Sequence, residues 1–127
     1  MEKIVLDTNV LIEILKGNAA ATARVTSFQV PLYISSITAM ELYYGALNKN
    51  EMKKLERFIA TFTLSYPDEK VSHRALLLIK QYAKSHCLDI PDSIIAATAL
   101  VLDAPLLTYN LKDFHYIDGL EVLSFPK

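Results

Sequence analysis

The chain opens on Lys3-Ile4-Val5-Leu6, a short apolar run with β-branched residues, and the run stops abruptly at Asp7-Thr8-Asn9. A run of this kind predicts a strand buried on both faces. Similar short runs recur at 32–34, 106–108 and 121–123, with a short strand or extended link at 64–67. Between them lie longer segments with helical periodicity, and helices are predicted over 8–16, 19–28, 37–47, 51–62, 68–86 and 91–102. Gly17-Asn18 supplies the end of the first, Ser35 or Ser36 caps the third, and proline opens the last. The segment 110–114 reads as a loop or short helix. Strands so short, separated by helices, imply parallel pairing, because a parallel connection needs a crossover. The expected fold is α/β, a three-layer α/β/α sandwich around a short central parallel sheet. In open sheets of this kind, ligands bind beyond the carboxyl ends of the strands, near the topological switch point.

Composition narrows the class further. At 127 residues with 52% hydrophobic and 21% charged side chains, the chain suits a single domain spanning 1–127. A mean hydropathy of +0.24 with interspersed charges excludes intrinsic disorder. No run of about 20 apolar residues is present to cross a bilayer, and no secretory leader is visible, so the expected location is the cytoplasm. A lone cysteine, Cys87, excludes an internally stapled secreted fold and a cysteine-based zinc site, and reads as a buried or half-buried apolar residue. The net charge of -1 conceals a segregation: residues 49–84 carry +4 and residues 85–127 carry -4. One part of the surface is thus suited to a polyanion and another to cations.

The acidic residues carry the chemical signal. Asp7 ends the first strand, so its carboxylate is expected at the ligand edge, although Asp is also a favoured helix cap. Glu41 lies among apolar neighbours, Ala39-Met40 and Leu42-Tyr43, where an inward-facing acid is costly without a cationic partner. Thr38 and Glu41 also have the spacing of a capping box. Asp92 precedes Ser93-Ile94-Ile95-Ala96-Ala97-Thr98-Ala99, a helix of small and apolar residues, and is either a cap or a ligand. Asn110 and Asp113 follow the 106–108 strand and would reach the same edge. Carboxylates gathered there raise one another's pKa unless a cation neutralises them. Carboxylate oxygens with room for water are the ligand set of Mg²⁺ or Mn²⁺. His73, His86 and His115 are scattered and read as surface residues.

These residues carry a resemblance. Val5-Leu6-Asp7-Thr8-Asn9, the stretch from Ile34 through Glu41 to Gly45, Asp92 through Ala99, and Thr108-Tyr109-Asn110-Leu111-Lys112-Asp113-Phe114 resemble, in that order, the PIN-domain family. Order and length are most similar to the VapC-type toxins of prokaryotic toxin–antitoxin pairs. The resemblance covers essentially the whole chain. It implies an endoribonuclease dependent on one or two Mg²⁺ or Mn²⁺ ions, with Asp7, Glu41 and Asp92 on the family's acidic positions. The fourth position, often aspartate, falls on Asn110, and Asp113 would supply the missing charge directly or through water. Asp7 and Asp92 are then the central ligands, with Glu41 and Asp113 completing the site. Thr8, Asn9 and Thr108 would stand behind them as polar groups that position ligands or water. Lys49, Lys53, Lys54 and Arg57 would guide the RNA backbone, since phosphate contacts dominate affinity. The resemblance also implies a homodimer and a small VapB-like antitoxin crossing the acidic groove. Leu11, Ile12, Ile14, Tyr43, Tyr44 and Leu47 are the apolar candidates for those contacts.

Two rival readings remain open at this point. Phosphoryl chemistry on Asp7 is one, although aspartate-nucleophile phosphatases usually carry a second Asp where this chain has Asn9. The other is a PIN-like module that binds RNA or protein without cutting, which Asn110 makes conceivable.

Overall fold

A computed structural model describes residues 2–125. Its strands are β1 (Ile4–Leu6), β2 (Leu32–Ser35), β3 (Thr63–Ser65), β4 (Leu106–Leu107) and β5 (Val122–Leu123). The helices are α1 (Thr8–Leu15), α2 (Ala19–Thr26), α3 (Ser36–Tyr44), α4 (Lys49–Ile59), α5 (Glu69–His86) and α6 (Ile90–Leu102), with a 3-10 turn at Leu111–Asp113. All strands pair in parallel in the order β3-β2-β1-β4-β5. β1 is therefore the switch point, with β2 on one side (Val5 beside Tyr33) and β4 on the other (Val5 beside Leu106).

Alternation along the strands builds the two outer layers. Val5 and Leu106 face α5 and α6, joining Val71, Ala75, Leu78, Tyr82, Ile95 and Ala99 in one core. Ile4, Leu6, Ile34 and Leu107 face the opposite way, against Val10, Leu11, Val25, Leu42, Leu55 and Ile59 from α1 to α4. The inner stripe of α5 runs along Val71, Ala75, Leu78 and Tyr82, with Ile79 half-buried. Ala96, Ala97 and Ala99 are almost fully buried, and their small side chains let α6 lie close against its neighbours. No helix of the described residues is long and apolar enough to cross a membrane.

Several expectations need correction. The 37–47 helix ends at Tyr44, because Gly45 closes it and Asn48 then caps α4, which begins at Lys49 rather than 51. At its other end α4 stops at Ile59 instead of 62, with Ala60 closing it. The 91–102 helix begins at Ile90, with Asp89 as its cap. Thr38 and Glu41 form no capping box. Ser35 caps α3 by accepting the Ile37 N–H at 3.2 Å, which leaves Thr38 inside the fold. Cys87 is exposed, not buried: it adopts a left-handed backbone (φ 58°) where α5 ends and the chain turns toward Leu88.

Candidate active site

The acids singled out in the sequence follow β1 (Asp7), lie within α3 (Glu41), open α6 (Asp92) or sit in the turn after β4 (Asp113). Asp7 follows β1, and its role as helix cap and its place at the edge are one arrangement. Oδ1 accepts the Thr8 N–H at 2.8 Å, while Oδ2 accepts the Thr108 hydroxyl at 2.8 Å. Thr108 follows β4, so the parallel pairing of β1 with β4 brings together side chains 101 positions apart. Thr108 Oγ1 also accepts the Asn110 N–H at 2.9 Å. Asn9 braces the same corner, with its Oδ1 accepting the Tyr109 N–H at 3.4 Å.

A second chain of hydroxyls fixes Glu41. Thr8 Oγ1 donates to Glu41 Oε1 at 2.8 Å and lies 2.8 Å from Thr38 Oγ1. A hydroxyl has one proton, so with Thr8 donating to the carboxylate, Thr38 donates to Thr8. Thr38 is wholly buried. The Glu41 side chain is exposed rather than turned into the core, and this hydrogen bond, not a cation, orients it.

Asp92 lies in the first turn of α6 but does not cap it. Asp89 does, its Oδ1 accepting the Asp92 N–H at 2.9 Å, which leaves the Asp92 carboxylate free. Burial pushes the Asp92 carboxyl up to about 7, and the charges of Asp7, Asp89, Asp113 and Glu41 push it the same way. Burial also raises Asp7; the hydroxyl of Thr108 and the N–H of Thr8 pull it back, and Glu41 and Asp113 push it up again. Five carboxylates from separate parts of the chain thus act on one another. Asn110 is exposed and neutral, whereas Asp113 is half-buried and is felt by both Asp7 and Asp92.

The donor set suits a hard divalent cation: carboxylate oxygens, those of Asp7 and Glu41 aimed by hydroxyl and N–H donors and that of Asp92 free. Among the described residues none of these acids is paired with a basic side chain; the one ion pair joins Lys16 to Glu13. Nor do three acidic, histidine or cysteine side chains among the described residues already stand close enough to grip an ion. The carboxylates stand near enough to repel one another without forming a finished cage.

A cleft of about 430 Å³ meets the site at Glu41, lined by Ile12, Leu15, Glu41, Leu42, Gly45, Ala46, Glu51, Lys54 and Leu55. Lys54 is the one basic residue of the four expected for RNA guidance that lines it. Lys49, Lys53 and Arg57 are exposed on α4 outside its walls. Of the expected contact residues, Leu11 belongs to the core and Ile14 and Tyr43 pack against it, because α1 and α3 turn those positions inward. Ile12, Tyr44 and Leu47 are exposed, joined by Leu15, Met40 and Met52.

Sequence reasoning passes over Asp89 and offers Thr38 only as part of a capping box. Asp89 was legible as the favoured cap residue ahead of a proline-opened helix. The bond of Thr38 to Thr8 has no such signal, because the two lie 30 positions apart.

A parallel sheet of this order with an acidic cluster at its switch point defines a PIN domain. The PIN-domain family model matches residues 4–120, and the chain belongs to that family. Within it, the chain is 33% identical over 121 residues to Ribonuclease VapC10 of Mycobacterium tuberculosis, covering 93% of this chain and 90% of the relative. Ribonuclease VapC1 of Rickettsia felis is 33% identical over 129 residues, covering 95% of each. Among solved structures, a toxin–antitoxin complex from Klebsiella pneumoniae contains a chain 30% identical to this one. It superposes with a TM-score of 0.81 over 94% of this chain and 95% of its own.

Proposed function

We propose that this chain is an endoribonuclease that depends on Mg²⁺ or Mn²⁺ and acts as the toxin of a type II toxin–antitoxin pair in the cytoplasm. One arrangement carries the reading: linked hydroxyls of Thr108, Thr8 and Thr38 aim the carboxylates of Asp7 and Glu41, and no basic side chain pairs with these or the surrounding acids among the described residues. A protein bears such a charge conflict where a cation is to be held. The names of the VapC relatives agree with it.

Asp7 and Asp92 would hold the ion, with Glu41 and Asp113 completing its surroundings directly or through water. A bound divalent ion lowers the pKa of an attacking water and offsets the charge that develops on the phosphate. The chain's own residues do the rest. Thr108 and the Thr8 N–H aim the two oxygens of Asp7, and Thr8 aims Glu41. Glu41 and Asp113, both reached by solvent, accept hydrogen bonds from water and orient it toward the phosphorus. Lys49, Lys53, Lys54 and Arg57 draw the RNA backbone toward the acidic edge.

The apolar cleft between α1, α3 and α4 suits a segment of a VapB-like antitoxin. Ile12, Leu15, Leu42 and Leu55 would take its apolar face, and Glu41 would meet a basic side chain at the cleft's acidic end. The whole chain works as one domain and pairs with a second copy of itself.

The test is cleavage of structured RNA by purified protein with Mn²⁺ and with chelator. Cleavage is expected only with the metal, and Asp7→Asn or Asp92→Asn should lower it by at least about 100-fold. Equal cleavage by those variants, or in chelator, would remove the reading.

A further inference from the structure

Beside the acids lies an aromatic stack that the proposed hydrolysis leaves unused. His86 closes α5 three residues before Asp89, and Tyr116 lies three residues beyond Asp113. Both rings therefore approach the site on the same segments that deliver its carboxylates. They stack face to face, with centroids 4.0 Å apart and planes 12° from parallel. Tyr82 supports both edge-on, at 5.0 Å from Tyr116 and 5.7 Å from His86. The Tyr82 hydroxyl accepts the Asp118 N–H at 3.2 Å, which pins the following turn. Ser85 Oγ lies 2.8 Å from His86 Nδ1 and holds the imidazole plane.

Burial falls along the stack: Tyr82 is buried, Tyr116 half-buried and His86 exposed. The stack is thus anchored in the α5–α6 core and ends in solvent on a flat ring with a fixed plane. It also lies close to the acids. Burial, and then the charges of Asp113, Asp92 and Asp89, push the Tyr116 phenol up to about 12.

We propose that the exposed face of His86, backed by Tyr116, is a stacking site for an unpaired nucleobase next to the phosphate held at the acids. This rests on the ribonuclease reading above. A nucleobase supplies the planar π-face that extends such a stack, and stacking on aromatic side chains is a principal way proteins hold single-stranded RNA. The base has to be unpaired, because in a duplex its faces are already covered by neighbouring bases. A face-on stack reads the π-surface and not the hydrogen-bonding edge, so the subsite selects accessible bases more than a particular sequence.

The experiment places 2-aminopurine at successive positions of a short unstructured RNA and follows its fluorescence on binding. Ca²⁺, which takes carboxylate ligands, is present throughout. Wild type is expected to quench the probe at one position, and His86→Phe, which keeps a flat ring, should quench it equally. His86→Ala should lose the quenching and bind roughly tenfold more weakly. Binding and quenching unchanged in His86→Ala would overturn this proposal alone, and so would His86→Phe behaving like His86→Ala. No RNA binding by wild type would overturn the ribonuclease reading with it.

Discussion

Replacing Asp92 with asparagine should make the metal-free protein more stable at neutral pH, although it removes a group proposed as essential. A carboxyl that ordinarily titrates at 3.8 is held at about 7, first by burial and then by Asp7, Asp89, Asp113 and Glu41. Ionising it there costs the folded state about 4 kcal/mol at about 1.4 kcal/mol per tenfold change. Solvent reaches this half-buried side chain and screens the charge, which reduces the cost to about 2 kcal/mol. The direction follows from linkage. Between about pH 4 and about pH 7 the folded protein keeps a proton that the unfolded chain has released. The stability contributed by that proton is full at the acid end and lost as the pH rises through about 7, and Asp7 adds a slope of the same sign. Urea unfolding in EDTA at about pH 5 and about pH 7.5 measures it. Asp92→Asn should be more stable than wild type at the higher pH by about 2 kcal/mol, or roughly 8 °C in a thermal melt. Its loss of stability between the two pH values should be smaller. Mn²⁺ should then stabilise wild type and leave the variant almost unchanged. An Asn variant no more stable than wild type at about pH 7.5, or one with the wild-type pH slope, would refute the claim that these charges are crowded and unneutralised.

Two further perturbations address the groups around the acids. Thr8→Val leaves Thr38 and Glu41 without a shared partner; unfolding should show a loss of about 1–3 kcal/mol, and cleavage assays a 10- to 100-fold drop of the order seen when metal-orienting groups are removed. Alanine at Lys53, Lys54 and Arg57 together should lower the slope of log affinity against log salt for single-stranded RNA by about 2, at about 0.7 per phosphate contact. An unchanged slope would end the guiding role of α4.

The sequence displays its strands because burial on two faces leaves few options besides short apolar, β-branched runs, and Ile4, Val5 and Leu6 follow that rule directly. Asp7 was conspicuous for the same reason, as a charge directly after such a run. Features that depend on partners distant in the chain were not legible. Nothing local to Thr38 reveals that it donates to Thr8, and nothing local to Glu41 reveals that its carboxylate turns outward to that same hydroxyl. Helix ends slipped by a few residues wherever a cap competed with the apolar pattern, as at Asn48 and Asp89. Cys87 was misread because its usual preference for burial yields to the left-handed turn needed between α5 and α6. The aromatic stack has no local signature, because His86 and Tyr116 come from segments 30 residues apart.

The bond from Thr108 to Asp7 spans most of the polypeptide. A nascent chain leaving the ribosome carries Asp7 and Glu41 long before the β4 segment emerges to lie beside β1. Until then the first acid lacks the hydroxyl that aims it, and Asp113 is still unmade or held in the exit tunnel. The setting of Asp7 is thus complete only once β4 has paired with β1.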